Sequence, residues 1–388
     1  MGHAPPWPNF SEKEGELVKE VLLSNKVNYW TGKEARHFEK EYAEYFGSGY
    51  SIALANGTLA IDLALLALGV GEGDEVIVTP RSFIASASAV VNCGARPVFA
   101  DVDSDSQNIT ADTIATALTP RTKAIICVHL AGWPCEMDAI TELAEAHNLA
   151  IIEDCAQAHG ATYRGKSVGT IGDVGAWSFC QDKIMTTGGE GGMVTLDDEN
   201  LHQFMWSFKD HGKSLEKVNT PNPSTGFRYI HDTIGTNWRL TEMQAALGRY
   251  QLTQLADWGS QRQANGSAFN QLLADTDGIR LTVPPEHCAH AYYKYYFFIE
   301  PDALKSSWNR DKIVAEIVQR GVPCFTGTCP EIYREQAFIG RYGDHPSLPV
   351  AASLGTTSVL LNVHPGVTVE HCQQTASIIR EVFAQAAR

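Results

Sequence analysis

Between residues 50 and 196, short apolar runs alternate with segments of helical pattern, and this alternation constrains the fold more than anything else in the chain. "EVIVTP" (75–80), "RPVFADV" (96–102), "AIICVHLAG" (124–132), "LAIIEDC" (149–155), "GAWSF" (175–179) and "GGMVTL" (191–196) read as buried strands. "SFIASASAVVNCG", "TADTIATALT" and "EMDAITELAEAHN" read as helices between them. Near-continuous apolar strands separated by helices require a largely parallel sheet covered on both faces. A further helix, "NGTLAIDLALLALGVGEGDE", is capped by Asn56, and its aliphatic content all round predicts deep burial. The polar stretch 213–235, rich in Pro and Gly, reads as a long functional or interface loop. A long helical segment from "TEMQAALG" then leads into "AYYKYYFFIE", "RDKIVAEIVQRG" and a terminal helix. The fold class is therefore α/β. A large, mainly parallel-sheet domain with its N-terminal segment takes residues 1–259, and a smaller C-terminal α/β domain takes 260–388.

Composition narrows the function classes. Against 45 acidic side chains stand 30 lysines and arginines, a formal charge of −15, which argues against general binding to nucleic acid or to a membrane surface. No apolar run is long enough to span a bilayer. "MGHAPPWPNF" lacks the basic-then-apolar order of a signal peptide. Nine cysteines without that signal favour reduced thiols in a cytoplasm, and "CFTGTC" (Cys324, Cys329) has no second pair to complete a zinc site.

Ligands of parallel α/β sheets bind beyond the carboxyl ends of the strands. Asp154 ends "LAIIED", Ser178 and Lys183 lie at and after the end of "GAWSF", and Phe83 follows "EVIVTP". Gly57 and Thr58 open a helix, where free amides and the positive dipole end suit a phosphate. Singly, each has an ordinary explanation: a turn former, a solvated lysine, a core aromatic, a helix cap. Together they supply what pyridoxal phosphate needs: a carboxylate for the ring nitrogen, an aromatic for the ring face, a hydroxyl and helix start for the phosphate, and a lysine for covalent attachment. The glycines of "TTGGEGG" would let backbone approach that cofactor closely. A nicotinamide fingerprint is missing, since "GVGEGDE" follows a helix and precedes a strand.

These segments resemble the DegT-type nucleotide-sugar aminotransferases, fold type I pyridoxal-phosphate enzymes of the aspartate aminotransferase superfamily. The resemblance runs through "YWTGKEARHFEKEYAEYFG", "ALANGTLAIDLALLALGVGEGDEVIV", "VHLAGWPCEMD", "IIEDCAQAHGATYRGKSVGTIGDVGAWSF", the lysine loop and "GTNWRLTEMQAALGRYQL". It implies that Lys183 carries the cofactor and moves the proton between cofactor and substrate carbons. Asp154 would pair with the ring nitrogen, Gln157 would lie against the phenolic oxygen, Phe83 would stack, and Ser178 with Gly57 and Thr58 would take the phosphate. Asn237 would reach the phosphate from the other subunit of a homodimer. Arg239 would meet an anionic part of the substrate, or alternatively belong to the cap of the helix starting near Thr241. In the loop after "MWSF", Lys209, His211, Lys213 and Arg228 would meet a diphosphate or, by default, remain solvated charges. The implied reaction moves an amino group from glutamate to a nucleotide-linked 4-keto-6-deoxyhexose, with or without a 2-acetamido group, for cell-surface polysaccharide or O-antigen. A dehydratase branch carries histidine at the lysine position, which Lys183 argues against. A cofactor-binding regulator without turnover is the remaining alternative. "CFTGTCPEIY" stands where family members often show a His-Tyr or Tyr-Tyr pair before Pro-Leu-His.

Overall fold

The computed structural model describes residues 5–221 and 226–388. In chain order the strands are β1 (Tyr50–Leu54), β2 (Glu75–Val78), β3 (Arg96–Phe99), β4 (Thr122–Val128), β5 (Ala150–Asp154), β6 (Thr162–Tyr163), β7 (Lys166–Ser167), β8 (Val174–Ser178) and β9 (Gly192–Leu196). There follow β10 (Ile279–Arg280), β11 (Cys288–Ala289), β12 (Tyr295–Ile299), β13 (Cys324–Phe325) and β14 (Ser358–Leu361). Seven form one sheet in the order β1-β9-β8-β5-β4-β2-β3, parallel throughout except for β9, which runs against both its neighbours.

Continuous apolar strands arise because both faces are covered. Val76 and Val78 of β2, with Ala124 and Ile126 of β4, face one core, while Ile77, Ile125 and Cys127 face the other. The helices Gly57–Ala67 and Ala85–Asn92 pack on the first face, and Met137–His147 with Ile114 of Ala111–Ala117 on the second. Each fully buried Ile or Val contributes about 1.5–3 kcal/mol, so a register slip in any of these strands is strongly disfavoured. The helix Gly57–Ala67 starts where predicted: Asn56 Oδ1 accepts from Leu59 N at 3.0 Å.

Two strand expectations need adjustment. "AIICVHLAG" ends as a strand at Val128, and Leu130–Gly132 forms a 3₁₀ turn with Ala131 at φ 56°. β1 was not among the strands expected from the pattern, since its partner β9 lies far along the chain. The reversal of β9 has a simple cause. The connection from β8 to β9 contains no helix, and a parallel pair would need a long crossover. Lys183 therefore sits in the turn of an antiparallel pair, at the carboxyl end of β8.

A second sheet, β10-β12-β14-β13, carries its own core with the helices Arg310–Gln319 and Val369–Ala386. The helix Glu242–Leu273 runs unbroken across the 259/260 division: Ala245, Leu252 and Leu255 pack with the N-terminal segment, and Phe269 and Leu273 with the second sheet. Beyond β13 the chain turns back, and Ile332, Tyr333 and Phe338 join the core of the large sheet.

Candidate active site

At the carboxyl ends of β5 and β8 lies a cavity of ≈ 700 Å³, and Gly57, Thr58, Phe83, Asp154, Gln157, Ser178 and Lys183 all line it. Asp154 ends β5 with its carboxylate held from two sides: Ser86 donates to Oδ2 at 2.8 Å, and the Ala156 amide to Oδ1 at 3.1 Å. A carboxylate offers about four lone-pair sites, so both oxygens keep room for a further donor. Gln157 Oε1 accepts from the Ala131 amide at 2.8 Å, which leaves its NH₂ group for the cavity. That contact gives the unusual Ala131 backbone a role. Phe83 is not a core residue: 65% of its surface is exposed at the cavity lip, leaving a ring face for stacking.

The glycine at 57 has a steric reason. A Cβ there would lie 2.5 Å from Ser178 Cβ and 3.0 Å from its Oγ, so the helix start and the hydroxyl converge only because no side chain intervenes. Gly192 does the same for the Asn56 carbonyl, 2.3 Å from a Cβ position. This corrects the role expected of the loop glycines. Gly192 brings loop and helix start together, Gly191 lets Thr187 and Phe179 approach, Gly188 and Gly189 turn the chain at positive φ, and the cavity wall contains Glu190 but none of the four.

The loop is anchored through its backbone. Lys183 N donates to the Cys180 carbonyl at 3.1 Å, and the Lys183 carbonyl accepts from Trp7 Nε1 at 2.8 Å. The Nζ lies 5.0 Å from the centroid of the Tyr293 ring, within cation–π range if charged. Tyr293 in turn donates to Asp182 Oδ2 at 2.5 Å, and burial, then Asp182, holds its phenol well above the ordinary value. Beneath the loop, His159 is fully buried against Trp177 and Phe179 with neither ring nitrogen bonded among the described residues. Burial first, then Lys183 and Arg262, pushes it down to about 3, so it is a neutral packing element.

Residues 8–380 match the DegT/DnrJ/EryC1/StrS aminotransferase family. The chain belongs to this family. It is similar to the GDP-perosamine synthase of Escherichia coli O157:H7, 43% identical with 97% of each chain covered. It is also similar to the GDP-perosamine synthase of Caulobacter vibrioides, 35% identical with 97% of each covered. An aminotransferase from Psychrobacter cryohalolentis, solved by X-ray methods, superposes with a TM-score of 0.96 at 53% identity and 99% coverage of both chains. The protein is thus a pyridoxal-phosphate-dependent aminotransferase, and its cavity fits the group: the hydroxyl–helix-start cradle, the two-sided carboxylate and the open aromatic share one wall with Lys183. When bound, the cofactor supplies an electron sink that loosens bonds at the carbon exchanging its amino group.

This DegT-family site yields two predictions. Asp154→Asn should still bind cofactor, yet kcat should fall about 10²–10⁴-fold, because an amide cannot stabilise a protonated ring nitrogen. Near-normal turnover in a folded Asp154→Asn protein would return Asp154 to a turn-forming role. Gly57→Ala forces Ser178 and the helix start apart, an overpacking cost of about 1–3 kcal/mol. Titration of cofactor-free protein, read by absorbance, should show a dissociation constant raised roughly ten- to a hundredfold; an unchanged constant would mean the cradle is not used.

The remaining candidates in the DegT-family pattern lie outside the cavity wall. Asn237 is exposed, and Arg239 Nη1 pairs with buried Asp210 Oδ1 at 2.7 Å. The Ala55 amide bonds the Trp238 carbonyl, so this segment runs beside the start of the helix Gly57–Ala67 without entering the cavity wall. Lys209 is a correction. It is fully buried, bonded to Glu39 Oε1 at 2.8 Å and 3.9 Å from the Tyr29 ring centroid, so it is neither solvated nor free for a diphosphate. Lys213 pairs with Asp210 at 2.9 Å, Arg228 donates to the Thr220 carbonyl, and His211 is exposed at φ 62°. Residues 222–225 of the expected loop lie outside the described residues, and Leu215–Asn219 within it is a short helix. Sequence reasoning missed Ser86, Asp182, Tyr293, Lys294, Gly327 and Thr328 in the wall. "AYYKYYFFIE" carried the only visible signal for two of them, Lys294 interrupting an aromatic run and Tyr293 immediately before it.

Proposed function

We propose that this aminotransferase moves an amino group from glutamate onto a nucleotide-linked 4-keto-6-deoxyhexose, with or without a 2-acetamido group. Its product would enter cell-surface polysaccharide or O-antigen, and the work would be done in the cytoplasm by a homodimer with shared sites. The observation that carries the reading is the full-length likeness to two enzymes named for making a GDP-linked amino sugar, combined with a retained Lys183 in the cavity wall. A retained lysine supports amino transfer over dehydration, because its Nζ can both hold the cofactor and return the proton. In this reading Asn237 and Arg239 serve the partner's site. No helix among the described residues is long and apolar enough to cross a membrane.

The test is incubation with glutamate and a panel of nucleotide-linked keto sugars, followed by mass spectrometry. The expected product has C=O replaced by CH–NH₂, with 2-oxoglutarate formed in equal amount. Amination of none of the sugars would overturn the substrate class, while leaving the cofactor assignment to its own tests.

A further inference from the structure

A second cavity, of ≈ 330 Å³, lies under the N-terminal segment and shares Asp182, Tyr293 and Lys294 with the cofactor cavity. Its volume falls at the small end of the roughly 300–1,000 Å³ typical for ligand sites. Trp7, Phe269 and Leu361 give it apolar walls, and its charged face is cationic. Arg262 is 1% exposed and points one nitrogen, Nη1, at the carbonyls of Tyr292 (3.2 Å) and Tyr293 (3.3 Å). Trp7 covers the guanidinium plane at 5.1 Å. The Nε and Nη2 nitrogens, which form the side-on edge used to grip a carboxylate, have no acceptor among the described residues.

A buried guanidinium without a counter-ion is costly, because desolvation is not repaid by pairing. The local ledger makes the deficit plain. Arg262 and Lys294 face one carboxylate, Asp182, which already accepts from Tyr293 and lies 3.8 Å from Lys294 Nζ. Lys294 Nζ also donates to Asn362 Oδ1 at 3.1 Å, and an ammonium has a third hydrogen to offer. His364, stacked on Trp7, has an unbonded Nδ1 and is lowered to about 4 by burial and the neighbouring cations, so it is neutral and able to donate or accept. In a chain of net charge −15, a pocket with a cationic surplus and a buried, unfilled fork marks an anion site.

We propose that this cavity binds the carboxylate of a small organic acid, held by Lys294 Nζ and the Nε–Nη2 edge of Arg262. The ligand is either the distal carboxylate of the amino donor, reaching past Tyr293 from the cofactor cavity, or a separate small acid. The first source rests on the donor proposed above; the second does not. The Arg262 edge is screened from bulk water, and the Trp7 indole over the guanidinium face would report a carboxylate seated there.

The probe is glutarate, titrated into holoenzyme by calorimetry with tryptophan fluorescence read in parallel. Wild-type protein should bind one glutarate per chain, with a fluorescence change that Trp7→Phe removes. Arg262→Lys, which keeps the charge and loses the fork, should weaken binding at least about tenfold. Lys294→Gln should do the same, and serves alone if the Arg262 variant fails to fold. Competition between glutarate and glutamate, with donor KM raised in both variants and sugar KM unchanged, assigns the carboxylate to the donor. Binding without competition assigns it to a separate acid. No glutarate binding by wild type, or equal binding by wild type and a folded variant, overturns the proposal. Glutarate binding and its competition with glutamate are read without any keto sugar, so failure of binding here is distinguishable from failure of the substrate reading.

Discussion

Replacing Lys183 by alanine should abolish turnover, lowering kcat by at least about 10⁴-fold, or about 5.5 kcal/mol, the upper end of what one proton-transferring side chain contributes. The same variant should lose the visible absorption of the lysine-bound cofactor, which in the wild type borohydride bleaches. Both effects would come from one atom. Lys183 Nζ lies over Tyr293 in the wall shared with Asp154 and Ser178, and no other lysine but Lys294 faces this cavity among the described residues. Lys294 is tied to Asn362 and Asp182, and burial lowers its pKa toward the neutral, nucleophilic form, so it is a second amine to test at the site. Lys183→Ala therefore needs Lys294→Gln beside it as a control. Loss of the absorption band in the first, and its survival in the second, assigns the attachment. A Lys183→Ala protein that transaminates at the wild-type rate would remove Lys183 from the mechanism.

What the sequence disclosed about this site follows a physical boundary. Asp154, Ser178 and Lys183 were legible because strand ends in a parallel sheet can be placed from local apolar pattern, and the ligand rule then acts on each end. Gly57 was legible as a helix start, but the reason for glycine was not, since the clash is with Ser178, a residue remote in sequence. Ser86, Tyr293 and Thr328 reach the cavity through tertiary packing that no local period encodes. Lys209 was misread for the same reason. It follows "MWSF" as an ordinary helix-end charge, and its burial depends on Glu39, whose Oε1 also accepts from the Ala53 amide and whose Oε2 accepts from Tyr29. The fold class needed only alternation. The reversed strand β9 was also derivable, because the thirteen residues between Ser178 and Gly192 contain no helix to make a parallel crossover.

Mixing two inactive variants should restore activity if each site is built from both chains. The segment in question carries an exposed apolar surface, with Phe227, Tyr229 and Ile234 at 82%, 83% and 92% exposure, on the path to exposed Asn237. The rings of Phe227 and Tyr229 lie 5.0 Å apart, and exposed apolar side chains grouped in this way mark an interaction surface. A two-fold partner covering it would carry Asn237 toward the neighbouring cavity, because an isologous interface makes the exchange reciprocal. The competing geometry is also visible: the Ala55–Trp238 backbone bond holds the segment one residue from the chain's own Asn56 cap. Chains bearing Lys183→Ala and chains bearing Asn237→Ala with Arg239→Ala separate the two. In a mixed dimer with crossed sites, one site inherits both defects and the other neither. Random exchange of equal amounts makes half the dimers mixed, so activity should recover to about a quarter of wild type. With sites confined to single chains, every site in every dimer keeps one defect, and verified mixed dimers would stay inactive. Arg239→Ala also releases Asp210 from one of its two cations, so the double variant must first be shown to keep the wild-type melting temperature. Recovery on exchange between two folded, separately inactive proteins then has one physical source, a site that neither chain completes alone.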